Sequence, residues 1–360
     1  MNLEEYKRDI ISQAKRSFEN VDNIEEDKDL EYLDNITSTT ERLTTEPTEG
    51  FTRGTRGAAP SVEETKSMKS LYALGKRSLQ KIERNETDLS RSELEGLEAI
   101  VRLVGRPAIL VAGNTFLQPP PEWNILEKHR NQINSMIPSI GRINVKGHPD
   151  LDWLGTGFLV GDDVLMTNEH VAIEFTRPDA SGKWTFRPGW SSTIDYGQDI
   201  SNNHSEFQIR EVIGIHDEVD MALLRVSRTS NGGTSNPKPL TVSKDFDESK
   251  VNERKVYVVG FPARDPRRND PVEMDRIFGG VYGFKRIQPG KLLSVLGNTK
   301  IMEHDCSTLG GNSGSAVIDL ETNKVIGLHF SGKYLQANKA ISLWKMTNDP
   351  LLKKANINFG

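Results

Sequence analysis

The stretch "GTGFLVGDDVLMTNEHVA", residues 155–172, decides the fold. Two short apolar runs, Phe158–Val160 and Val164–Met166, flank a Gly-Asp-Asp turn, which is the pattern of a strand, a tight turn and a returning strand. The second run ends in a polar break that carries His170 ahead of the small pair Val171-Ala172. Rigid strands behind a histidine and an open face ahead of it suit a residue that must be held and still be reached. A loop-tip histidine with no task fits the same local context.

Working outward, the same texture recurs from residue 106 to the end. "PAILVAG", "GRINVKG", "FQIREVIGI", "DMALLRV", "KVYVVGF", "KLLSVLG", "SGSAVIDL" and "KVIGLHFSG" are short strand-like runs separated by Gly, Pro, Asn and Asp. Many short strands with turn signals predict an all-β barrel or sandwich, and no helix–strand alternation of the parallel kind is present. A short helix over about 122–136 precedes most of these strands.

The first hundred residues follow another period. Tyr6, Ile10, Ala14 and Phe18 are spaced about a turn apart, so residues 3–34 are expected to be helical. Between Thr37 and Pro60 the chain is rich in Thr, Gly and charge, and is expected to be a flexible linker. A helix from Ser61, with Ser61 and Glu64 as a capping box, and another capped by Ser90 with Glu93 three residues on, follow it. Leu94, Leu97, Val101 and Val104 form the apolar face of the latter, and Gly105 and Pro107 end it. The expected organisation is a helical segment 1–36, a linker 37–60, a helical region 61–136 and a β domain 137–360.

Composition narrows the function. The net charge is −5 with no long run of either sign, so no footprint for nucleic acid is visible. Cys306 is the single cysteine, which excludes an intrachain disulfide. The start, "MNLEEYKRDIISQAK", has no apolar h-region, and no apolar run approaches the roughly 20 residues that span a bilayer. A cytoplasmic location, no membrane contact, no metal and no cofactor are expected.

The remaining chemistry lies in "HDCSTLGGNSGSAV", residues 304–317. Gly311 and Gly314 bracket Ser313 and leave room for a substrate carbonyl, and the N–H groups of Gly311 and Ser313 are candidate donors to one oxyanion. An activated serine needs a base and a carboxylate that orients the base. His170 is the candidate base. Asp220, leading into the apolar run "MALLRV", is the candidate orienter, with Asp217 its nearby competitor. Each block alone reads equally well as a turn; together they run His, Asp, Ser, at strand edges of a β-rich chain. The α/β-hydrolase alternative needs G-x-S-x-G with Asp and His after the serine, and fails on both counts.

"TNEHV", "DMALL" and "GGNSGS" resemble the three catalytic blocks of chymotrypsin-fold (trypsin-like) serine peptidases, over roughly residues 138–345. The resemblance implies a mainly β fold of two packed antiparallel six-stranded barrels behind the α-helical extension. It implies His170 as general base and acid, Asp220 as its orienter, Ser313 as the acylated nucleophile, and Gly311 and Ser313 N–H groups as the oxyanion hole. Within the family, "STLGGNSGS" and "GLHFSG" resemble bacterial glutamyl endopeptidases. That likeness implies that Thr308 and His329 line the pocket for the residue before the scissile bond and favour Glu or Asp there; otherwise His329 is a satisfied core histidine behind a small pocket. Ser307 stands where an Asp would select Lys or Arg. Asn312 stands where digestive members carry the Asp that pairs with a newly cut amine, so activation by a new N-terminus is not expected. Ser331 and Gly332 offer a strand edge to a substrate peptide.

The expected function is a serine endopeptidase acting on protein or peptide substrates. Its N-terminal helices either pack passively or regulate the enzyme through a partner, by analogy with bacterial signalling or defence proteases. The alternative is a catalytically silent adaptor that keeps the fold to bind peptides.

Overall fold

The computed structural model describes residues 2–18, 24–45, 62–201, 203–265, 271–332 and 337–360. Two closed β-barrels form the body of the molecule. The first consists of β1 (Ile140–Lys146), β2 (Trp153–Gly161), β3 (Val164–Thr167), β4 (Ser191–Asp195), β5 (Glu206–Ile215) and β6 (Ala222–Val226). Its antiparallel ring runs β6-β3-β2-β1-β4-β5 and closes where β5 pairs with β6. The second consists of β7 (Lys255–Gly260), β8 (Arg286–Val295), β9 (Ile301–His304), β10 (Ala316–Asp319), β11 (Val325–Ser331) and β12 (Asn338–Ser342). Its ring runs β7-β10-β11-β12-β9-β8 and closes where β7 pairs with β8. The fold is chymotrypsin-like, mainly β, with helices ahead of the barrels.

The uninterrupted apolar runs now have a cause. Side chains alternate across a strand, and here both faces are buried. Leu159 and Leu165 point into the first barrel with Ile143, Phe207 and Leu224. Their neighbours Phe158, Val160 and Met166 instead join Tyr257, Val259, Ile318 and Leu328 in a core shared by the two barrels. The second barrel repeats the arrangement, with Val256, Val258 and Val317 inside and Tyr257, Val259 and Ile318 in the shared core.

The N-terminal region departs from its sequence reading in two places. Residues 3–34 are not one helix: Leu3–Ser17 stops at Phe18, whose backbone is extended, and a second helix, Glu26–Thr45, follows. That second helix runs through the first nine residues of the expected linker. Its threonines satisfy their hydroxyls locally, with Thr37 donating to the Leu33 carbonyl (2.8 Å) and Thr40 to that of Ile36 (3.0 Å), so threonine here is compatible with a helix. Leu43 then packs on Leu110, Val281 and Phe284 of the protease body. "RGTRG", residues 53–57, and the expected cap Ser61 lie outside the described residues.

Helix Val62–Glu83 packs against helix Arg91–Ile100, which opens with the capping box of Ser90 and Glu93. A π turn, Val101–Gly105, follows, and then a hairpin, Ile109–Ala112 with Thr115–Phe116, pairs with β8. Residues 62–136 are therefore mostly helical with a β hairpin inserted.

Candidate active site

β6 lies beside β3, with Ala222 opposite Thr167, so Asp220 emerges next to the segment that follows β3. That segment turns into helix Glu169–Phe175, and His170 sits on its first turn. Asp220 grips it twice. Its Oδ1 accepts from the His170 backbone N–H (3.0 Å), and its Oδ2 lies 2.6 Å from His170 Nδ1. Asn168, which the sequence reading passed over, donates through Nδ2 to the Asp220 carbonyl (2.8 Å) and fixes the two segments relative to each other. The His170 side chain is 46% exposed and that of Asp220 26%. Asp217, the competitor, is exposed.

Ser313 lies in the loop leading to β10. Gly311 and Gly314 have φ of 84° and 88°, the left-handed region where a Cβ is costly. Space forbids a side chain as well: a Cβ on Gly311 would lie 2.4 Å from the Phe261 carbonyl oxygen and 2.6 Å from the Trp153 ring. Thr156 of β2 braces this loop from the other barrel. Its hydroxyl donates to the Gly311 carbonyl and its N–H to the Ser313 carbonyl, both at 2.8 Å. Among the described residues, nothing accepts a hydrogen bond from the N–H of Gly311 or of Ser313.

Asn312 is fully buried. Its N–H and Nδ2 both donate to the Leu309 carbonyl, and its own carbonyl accepts from the Ser315 N–H (2.9 Å). Ser313 and His170 share one neighbourhood: a Cβ on Gly155 would meet both the Ser313 carbonyl oxygen (2.8 Å) and Val171 (3.0 Å).

His329, on β11, is 2% exposed, and its Nδ1 lies 3.1 Å from Nε2 of the fully buried His304. The two rings meet edge to face at 5.2 Å between centroids. Burial, and then the neighbouring charge of His170, lowers the pKa of His329 to about 3; burial, and then His329, holds that of His304 well below the ordinary histidine value. Both imidazoles are therefore neutral. A buried N–H without an acceptor costs more than a bare ring nitrogen, and His304 Nδ1 has no partner among the described residues. The tautomer that follows has His304 Nε2–H donating to His329 Nδ1, which leaves His329 Nε2–H as a donor. His304 was missed in the sequence; its one signal is the period-2 placement with buried Met302 on β9.

Thr308 Oγ1 donates to Asn338 Oδ1 (3.0 Å), and Asn338 Nδ2 donates to the Cys306 carbonyl (2.5 Å). Asn338 was missed too. The buried Ser307 donates to the Arg106 carbonyl (2.7 Å). Ser331 and Gly332 are exposed at the end of β11, and Gly332 approaches Thr308 and Asn338 closely enough that a Cβ would collide with Asn338. Among the described residues no cluster of His, Cys, Asp and Glu is arranged to hold a metal, and no helix is long and apolar enough to cross a membrane.

Residues 155–328 match the model of the trypsin-like peptidase domain. A probable serine protease of Lysobacter enzymogenes is 27% identical over 301 residues, covering 73% of this chain and 76% of that protein. A glutamyl endopeptidase of Staphylococcus aureus is 29% identical over 231 residues, covering 59% of this chain and 57% of its own length. The chain thus spans little more than half of that relative. Among solved structures, the inactive form of Rv3671c from M. tuberculosis H37Rv aligns at TM-score 0.41 and 18% identity, over 66% of this chain and 96% of that one. The serine endoprotease from Yersinia pestis aligns at TM-score 0.41 and 16% identity, over 62% and 67%. These likenesses support a trypsin-like serine peptidase, a hydrolase of the peptide bond, with the matching domain over residues 155–328.

Proposed function

We propose that this peptidase is an endopeptidase that cleaves through an acyl-enzyme on Ser313, with a preference for Glu or Asp before the scissile bond. The observation that carries the reading is the His170–Asp220 pair beside a loop whose Gly311 and Ser313 N–H groups have no internal acceptor. Ser313 Oγ attacks the substrate carbonyl while His170 Nε2 takes its proton. Asp220, on Nδ1, holds the tautomer and stabilises the imidazolium. The tetrahedral oxyanion receives the two N–H groups. His170 returns the proton to the leaving amine, and water reverses the sequence to release the acid and restore Ser313.

Acidic preference rests on the neutral donor at His329 Nε2. A carboxylate entering the pocket accepts from it and gains a second bond when Thr308 turns its hydroxyl proton from Asn338 to the substrate. Likeness to proteins named glutamyl endopeptidases supports the same reading. Substrate main chain adds along Ser331 and Gly332 as an extra strand. The substrate is a protein or peptide, and neither nucleic acid nor a membrane takes part. The N-terminal helices, docked on the protease body through Leu43, form a regulatory or partner-binding region of a cytoplasmic enzyme in a bacterial signalling or defence system.

A peptide library of all residue types before the cut tests both halves. Cleavage after Glu or Asp that is lost with Ser313→Ala, and a shifted preference in His329→Ala, are expected. Cleavage that ignores the residue before the cut removes the acidic preference. Peptide binding with no cleavage assigns the adaptor role instead.

A further inference from the structure

We propose that Arg106, seated by Gln13 of the first helix, is a positioning residue for the wall of the primary pocket, so that the N-terminal helices support substrate binding. This rests on the reading above that the segment reaching Thr308 lines the pocket for the residue before the scissile bond.

The chain enters the barrels through the π turn Val101–Gly105, a rare geometry that is frequent at functional sites. Here it delivers Arg106, whose N–H bonds back to the Val101 carbonyl (2.8 Å) and whose side chain is buried. Its guanidinium donates through Nη1 to the Asp305 carbonyl (3.1 Å) and through Nη2 to Gln13 Oε1. Its own carbonyl accepts from the Ser307 hydroxyl (2.7 Å). One residue therefore holds both ends of the tripeptide that runs into Thr308. Beyond it, Asn338 ties the Cys306 carbonyl to the Thr308 hydroxyl, while the Asp305 carboxylate accepts from the Lys291 N–H (2.7 Å). A continuous set of bonds thus leads from Gln13 to Thr308, and none of it touches His170 or Ser313.

A buried guanidinium is costly unless its donors are used, and burial, with Arg102 nearby, lowers the pKa of Arg106 to about 9. Gln13 supplies one of the acceptors. Its helix is held close by packing, since a Cβ on Gly105 would collide with Ser17 (2.7 Å) and touch Phe18. Any partner that draws this helix away takes the Gln13 acceptor with it and loosens the 305–308 wall. Regulation through the helices then acts on peptide affinity.

Full-length Gln13→Ala, Arg106→Lys and Arg106→Met chains test this, using the best-cut library peptide whatever residue precedes its cut. KM, kcat and the rate of fluorophosphonate labelling of Ser313 are measured. In Gln13→Ala, KM is expected to rise about threefold to tenfold while kcat and the labelling rate stay within about twofold. Arg106→Met is expected to raise KM further, and Arg106→Lys to fall between the two. If Arg106→Met does not fold, the other two decide. Unchanged KM in Gln13→Ala and Arg106→Lys, or kcat and labelling that fall in step with kcat/KM, overturns the proposal. Failure of the acidic preference leaves this test intact, because it shows in the library profile of the unsubstituted chain.

Discussion

Each barrel carries one histidine of the proposed mechanism, and the two are equipped in opposite ways. His170 of the first barrel is half exposed and carries a carboxylate on Nδ1. His329 of the second is buried and carries another histidine on Nδ1, so its environment refuses a positive charge. In the proposed mechanism the same imidazole thereby serves as a proton carrier on one side and a fixed neutral donor on the other. What separates them is the group on the far nitrogen and the exposure of the ring, neither of which a motif spells out.

The comparison breaks first on turnover. Ser313→Ala and His170→Ala should each lower kcat by about 10⁵–10⁶-fold, and Asp220→Asn by about 10⁴-fold, read with the best library peptide. Equal losses from His329→Ala would mean that the two histidines are not divided as argued. The expected effect there is smaller: a drop of about 10- to 100-fold in kcat/KM for Glu before the cut, with little change for small residues.

Stability against pH sharpens the contrast between buried pairs. His304 and His329 titrate below their unfolded value of 6.5, His329 at about 3, so the unfolded chain binds more protons. Their contribution is full above pH 6.5 and is lost as the pH falls toward 3. The helical region holds a pair of the opposite sign. Asp29, which accepts from the Tyr72 hydroxyl (2.5 Å), and the neighbouring Glu122 are both pushed above the ordinary carboxylate range by burial, Glu122 also by the charge of Asp29. They favour the folded state below the unfolded carboxylate value, and that contribution is lost as the pH rises through their raised values. Melting curves across pH should show a Glu122→Gln chain losing less stability than the parent on the alkaline side. The same slope in both chains would dismiss the pair. The smallest expected effect is Ser90→Ala, costing about 1 kcal/mol through the lost cap with kcat/KM unchanged.

Much of this was legible in the sequence. The doubled apolar runs of β2 and β3 announced strands, and the capping box at Ser90 announced its helix. His170 and Asp220, 50 residues apart in sequence, come together, with His170 on the first turn of a helix and not at the strand edge expected of it. What stayed hidden depends on partners distant in the chain. Arg106 meets Asp305 across 199 positions and Thr156 meets Gly311 across 155, and nothing local marks either as a brace. His304 reads as one more polar residue until His329 is set against it. Thr37 and Thr40 misled because their composition suggests a loop, whereas their hydroxyls are satisfied within the helix and Leu43 anchors its end.

The most direct test of the division of labour is fluorophosphonate labelling of the full-length chain at neutral pH, followed by mapping of the adduct. The expected result is one adduct on Ser313, nearly lost in His170→Ala and retained in His329→Ala. No adduct on Ser313, or equal loss in both histidine variants, would contradict it.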